Sequence, residues 1–289
     1  MPIEKLRPID VQQLHATLRA GGMAEGTIGR VHDILRAAFT WAERLDLVAK
    51  NPAAKVTRPR VARASISPPA PRDIVRMITE ASPDLALFLR LAALTGARRG
   101  QLCALHWSDV RLDAATIRWT RSLAKVPGGT VEKETKTGAR WSVALDPATV
   151  DALKEHRRRS IETALAAGTT LPDEAYVFAR DPASKLPWHP DGASQRFAAL
   201  RKKLKLDGVR LHDLRHWMAT ESLGEGVDIE TIAARGGWAN TTTPIEVYSH
   251  FRPARDADLA ERLAKRLDGD DGDGEAGDDA NSDAADQPG

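Results

Sequence analysis

The sequence predicts an α+β protein, mainly α with a small antiparallel β-sheet, and three observations carry that expectation. Apolar residues recur at helical spacing over much of the chain, as in TIGRVHDILRAAFTWAERL, where Ile28, Val31, Leu35, Phe39, Ala42 and Leu45 form one stripe. Three short runs, TIRWTRS, TVEKETKT and WSVAL, are rich in β-branched and aromatic residues and read as strands. The final stretch, Asp268 to Gly289, carries nine acidic residues and no basic one, the composition of a disordered, self-repelling tail.

Taken in order, the first element is a helix over DVQQLHATLRA, with Val11, Leu14 and Leu18 on one side and Gly21-Gly22 to stop it. The striped helix through Leu45 follows, and NPAA at 51–54 ends it. Two helices bury little by themselves, so this unit packs on something else or lacks a piece. Residues 55–73, KVTRPRVARASISPPAPRD, place basic residues before prolines, as expected of a stiff linker able to track a phosphate backbone. Beyond it, IVRMITEA and LALFLRLAALTG are helical, with Gly96 as a cap, and the three strands come next. Two longer helices follow in PATVDALKEHRRRSIETALAAG and QRFAALRKKLKL. LHDLRHWMATESLGEG, IETIAARGG, PIEVYSHF and ADLAERLAKRL complete the folded part as further helices. The resulting division is 1–60 a helical unit, 61–70 a linker, 71–267 the main domain and 268–289 the tail.

Composition narrows the function. The net charge of +2 rises to +11 when the nine tail acids are set aside, so the body of the chain suits an anionic partner, with nucleic acid foremost. A single cysteine, Cys103, excludes an intramolecular disulfide framework and a cysteine-based zinc knot. The sequence has no apolar run long enough to span a membrane and no signal peptide at MPIEKLRPID, which points to the cytoplasm, on the nucleoid when DNA is bound. No glycine-rich phosphate loop is present.

HDLRH holds His212 and His216 four residues apart, which on a helix could grip zinc. The helical zinc-protease pattern needs a glutamate after the first histidine, however, and here the acid is Asp213, with the cationic Arg215 beside the supposed metal. A phosphate clamp fits better, because a guanidinium can hold two phosphate oxygens at once. Other stretches supply matching groups. Arg98 follows Gly96 in LTGARRGQL, with Arg99 expected on another, exposed face. Lys136 sits at a strand end before the Thr137-Gly138 turn, where it can serve as a mobile acid. Tyr248, one of two tyrosines, follows GGWANTTT and becomes a nucleophile when positive charge surrounds it.

The order TGARRGQL, TKTGARWSVAL, HDLRH and GGWANTTTPIEVYSH resembles the tyrosine recombinase (phage integrase) family of site-specific DNA recombinases, over nearly the whole chain. The resemblance implies a helical core-binding domain followed by a catalytic domain. It further implies Tyr248 as nucleophile, Arg98 and Arg215 on the scissile phosphate, His212 as a proton-transfer or hydrogen-bonding partner, Lys136 as general acid and Trp238 in a position held by His or Trp. Double-stranded DNA as partner, a homotetramer on DNA, and no metal, ATP or other cofactor are implied too. The helix after Tyr248 is either passed to a neighbouring protomer or packed on its own domain. Three departures are visible: Gln101 replaces an acid, Trp238 cannot shuttle protons, and the N-terminal domain is shorter than the family's. They leave two alternatives open, a catalytically impaired DNA-binding member of the same fold and a type IB topoisomerase-like enzyme.

Overall fold

In the computed structural model, residues 2–60, 68–134, 141–242 and 244–245 are described. Lys136, Tyr248, part of the linker, the segment expected to form the last helices and the acidic tail lie outside the described residues. The chain divides into two compact units, Met1–Ser65 and Ile66–Gly289.

The first unit contains α1 (Pro8–Ala20) and α2 (Glu25–Arg44). Pro8 opens α1 at a position where its missing N–H costs nothing, and Gly22, with positive φ, turns the chain after it. Only part of the expected apolar stripe is buried. Ile28, Phe39 and Ala42 are in the interior, whereas Leu14 and Leu45 are exposed and the histidines His15 and His32 are buried instead. Helix α2 also stops at Arg44, ahead of NPAA, because the chain reverses through Asp46 at φ 55°. Asn51 then bonds back to Arg36 O and Thr40 Oγ1, folding the segment after the turn along the helix.

The second unit begins with α3 (Pro71–Glu80) and α4 (Pro83–Thr95). Helix α4 is buried nearly all round, through Leu85, Leu87, Phe88, Leu89, Leu91, Ala92 and Ala93, as expected of a helix at the centre of a core. It ends at Gly96 in the left-handed conformation, φ 65°. The one-turn helix α5 (Arg99–Cys103) follows, then β1 (Val110–Arg111), β2 (Thr116–Trp119), β3 (Arg121–Val126), β4 (Gly129–Glu134) and β5 (Trp141–Ala144).

The strands make two antiparallel sheets, one of order β1-β2-β5 and one of β3 with β4. TIRWTRS is therefore not one strand. It divides at Thr120, whose hydroxyl donates to the buried Asp109 carboxylate and so turns the chain out of the first ladder. Ile117 pairs with Val143, and Trp119 with Trp141, on the first sheet; Ile117 and Trp119 face the core. Helices α6 (Pro147–Ala166), α7 (Pro190–Leu204), α8 (Asp213–Gly224) and α9 (Ile229–Gly236) complete the described part. One continuous core joins α3, α4, α5, the first sheet, α6 and α7 to Leu214 at the start of α8.

Candidate active site

Three helix ends meet around one guanidinium. Arg215, on α8, is 3% exposed, and its Nη1 donates to Gly96 O at the end of α4 and to Gly236 O at the end of α9. Both carbonyls lie at helix C-termini, where the backbone dipoles leave negative charge that a cation complements. The guanidinium carbon also lies 3.6 Å from the centre of the Trp238 ring. Such stacking on indole is a favourable cation–π contact, strengthened by burial. The segments leaving these helix ends carry Arg98 and Trp238, so Arg215 ties together the pieces that bear the other groups.

Gly96 and Gly237 are matched to this knot. A side chain on Gly96 would place its Cβ 2.3 Å from Met218 Cε, and φ 65° already disfavours one. Gly237, at φ 61°, lies against the Trp141 ring, with room for a hydrogen only.

Above Arg215 is a cavity of about 450 Å³ whose lining includes Arg98, Arg99, Arg210 and His212. Arg98 is the residue before α5, and its backbone N–H donates to Gln101 Oε1 at 2.8 Å. Gln101 thus caps the helix as an acid there could, and supplies the acceptor without the charge. Arg98 stays open to solvent on the cavity wall, while crowding by the protein lowers its pKa from the ordinary guanidinium value. It remains a cation.

His212 is the residue before α8, in helical conformation at φ −69°, ψ −20°. Partial burial, followed by the charges of His216, Arg215 and Arg98, pushes its pKa down to about 4. Near neutral pH it is therefore a neutral imidazole. Its ring meets His216 edge-on at 4.9 Å. Asp213, the acid between them, is buried and accepts from the Arg210 backbone N–H and guanidinium, each at 2.8 Å. It is directed to that arginine rather than toward the histidine pair.

The structure therefore brings Arg98, His212 and Arg215 to one cavity and lays Trp238 on Arg215; Lys136 and Tyr248 fall outside the described residues. One expectation is corrected. Arg99 lines the same cavity rather than another face, because α5 is a single turn and the side chain reaches across to Ser194 Oγ at 2.6 Å on α7. Two further arginines, Arg210 and Arg235, fall outside the groups that the sequence motifs mark. Arg210 stands two residues before His212, a visible cue to a cavity position. Arg235 stands just before the Gly236-Gly237 pair and donates to Leu94 O at 2.9 Å, a second tie from α9 to the end of α4.

A cavity walled by four guanidiniums and one neutral imidazole suits a dianionic or delocalised phosphate oxygen cluster. The model of the phage integrase family matches residues 71–255. This chain belongs to that family, the tyrosine recombinases. It is 27% identical to a XerC-like tyrosine recombinase of Caldanaerobacter subterraneus, over 91% of this chain and 72% of that protein. It is 28% identical to tyrosine recombinase XerC of Mesorhizobium japonicum, over 91% and 80%, and 24% identical to the ICEBs1 integrase of Bacillus subtilis, over 90% and 71%. In fold it is similar to the Tn1549 transposon integrase in complex with a circular intermediate DNA, at a TM-score of 0.75 and 20% identity, covering 91% of this chain and 87% of that one. The lambda integrase dimer bound to a core site gives a TM-score of 0.65 at 17% identity, covering 88% and 83%. Among the described residues, no helix is long and apolar enough to cross a membrane.

Proposed function

We propose that this recombinase cuts and rejoins double-stranded DNA at a specific site through a 3′-phosphotyrosyl intermediate, and that its cavity holds the scissile phosphate. The observation that carries the reading is the convergence of Arg98, His212 and Arg215 on one cavity in a chain of this family. Attack on a phosphodiester spreads negative charge over the nonbridging oxygens, and Arg98 and Arg215 share it in this reading. Tyr248 forms the new O–P bond as the P–O5′ bond breaks. The phenol proton has an acceptor in His212, which is neutral near pH 7. The departing 5′ oxygen takes a proton from Lys136, and reversal of these steps rejoins a strand without an external energy source. Trp238, which has no acceptor nitrogen, stiffens Arg215 instead of moving protons.

Domains of 1–60 and 71–267, joined by 61–70, with a tail from 268, assign DNA gripping to both parts and chemistry to the second. Phosphate contacts by the basic body make binding fall steeply with salt. Recombination exchanges two pairs of strands, which calls for four protomers on DNA.

A duplex carrying the attachment site and a nick beside the cleavage point tests the reading, because the released fragment diffuses away and the adduct accumulates. The expected result is a covalent protein–DNA adduct that maps by peptide mass to Tyr248 and is absent in Y248F. Binding of that duplex with no adduct would instead favour a catalytically impaired DNA-binding protein.

A further inference from the structure

The hairpin β3–β4 leads into the segment that carries Lys136: β4 ends at Glu134, two residues before it. The two strands of this hairpin are held very differently. Strand β3 is docked on the body of the unit, with Leu123 buried, its carbonyl packed against Gly100 so closely that a Cβ there would lie 2.5 Å away, and Lys125 paired to Asp191 on α7 at 2.8 Å. Strand β4 is the outer strand of a two-stranded sheet and is exposed along most of its length. A two-stranded ribbon is marginal in water by itself, so β4 needs a tether beyond its ladder to keep a fixed position.

That tether is Tyr176. Its hydroxyl donates to Glu132 Oε2 on β4 at 2.8 Å. Its ring lies 4.2 Å from the His106 ring, and its backbone bridges to His106. Arg121, on β3, adds to the same point, with Nη1 2.7 Å from His106 Nδ1 and 3.2 Å from the buried Asp109, and Nε 3.7 Å from Glu132. The phenol is pushed up to about 12, by burial first and by the Glu132 hydrogen bond next, so it stays a donor across the working pH range.

We infer that Tyr176 and Glu132 form a latch that positions the hairpin from which the chain runs on to Lys136, and that both are positioning residues for protonation of the leaving 5′ oxygen. The inference rests on the assignment of Lys136 as the acid. Loosening the latch leaves the phosphate cavity and its arginines in place but lets the lysine sample positions out of reach of the oxygen, so the defect is specific to the protonation step.

Leaving-group chemistry isolates that step. An alkoxide needs a proton, whereas a thiolate leaves well without one because its conjugate acid is far stronger. Single-turnover cleavage by the full chain would be compared on the attachment-site duplex with 5′ oxygen and with bridging 5′ sulfur, for wild type, K136A, Y176F, E132A and E132Q. Y176F keeps the ring on His106, and E132A alters an exposed strand, so at least one variant retains the fold. Expected are losses of roughly tenfold for Y176F and E132A on the oxygen substrate, a part of the 10²–10⁴ that general acid–base catalysis supplies. Both should recover to within about twofold of wild type on sulfur, E132Q should retain most activity through its amide oxygen, and K136A should show the larger loss with the same recovery. If K136A recovers on sulfur while Y176F and E132A are unimpaired on oxygen, or equally impaired on both, the latch is wrong and the acid assignment stands. If K136A itself does not recover, Lys136 is not the acid and the latch inference falls with it.

Discussion

Arg215 and Arg98 line the same cavity under opposite constraints. The guanidinium of Arg215 is buried, bonded to two helix-end carbonyls and stacked on an indole, whereas at Arg98 it is the backbone that is fixed, by Gln101, and the side chain stands open to solvent. A floor built this way has its charge oriented before any ligand arrives, and the same contacts tie the ends of α4 and α9 to α8. The rim keeps the Arg98 guanidinium available, whereas those of Arg99 and Arg210 are held by Ser194 and Asp213. The difference teaches that two arginines of one cavity carry different structural loads, and substitution separates them.

The largest effect is expected at the floor. R215A withdraws the donor from Gly96 O and Gly236 O and removes the partner of Trp238, breaking a buried, charged hydrogen-bond set. A loss of about 3–5 kcal/mol follows, with cleavage abolished. In thermal denaturation this is a fall in Tm on the order of 10 °C for a unit of this size. R215K is expected to recover little, since an ammonium cannot bond two carbonyls and lie flat on the indole together. At the rim, R98A should lower single-turnover cleavage about 10²–10³-fold, the usual cost of losing one oriented donor at a developing oxyanion, with Tm within about 1 °C of wild type. Equal Tm losses for the two variants would erase the distinction between floor and rim.

The order of these loads was only half legible in the sequence. Arg98, His212 and Arg215 could be singled out because their boxes are local strings, and HDLRH on a helix fixes a one-turn separation. That Arg215 is a structural knot was not legible, because its partners are backbone carbonyls, which no residue type advertises. The swap of His15 and His32 for Leu14 and Leu45 in the first unit escaped for a related reason. Periodicity names the residues on a face, but the packing partner decides which part of the face is covered. Likewise the runs of β-branched and aromatic residues marked strands, yet the break at Thr120 depends on Asp109, eleven residues earlier. The position of Arg99 is not legible from its neighbour Arg98, because at the entry to a one-turn helix both side chains reach the same cavity.

The smallest expected effect is that of pH on the rim. His212 has its pKa lowered to about 4 in the folded protein, below its ordinary value of 6.5. The unfolded chain therefore binds more protons than the folded one between those values, and the stability tied to this group is complete above pH 6.5 and lost as pH falls toward 4. H212Q removes that loss. Because the imidazole is partly exposed, the difference should be modest: between pH 7 and 5 the wild-type Tm should drop about 1–2 °C more than that of H212Q. A parallel decline of the two proteins would mean that His212 titrates normally.

Neutralisation of the scissile phosphate's charge by the cavity is tested most directly with a neutral phosphate. A duplex in which one nonbridging oxygen at the cleavage point is replaced by methyl leaves less charge for Arg98 to stabilise. On this methylphosphonate the 10²–10³-fold deficit of R98A expected on the natural phosphodiester should shrink to within about tenfold of wild type. An R98A deficit of the same size on both substrates would contradict the claim and place Arg98 outside the reacting phosphate.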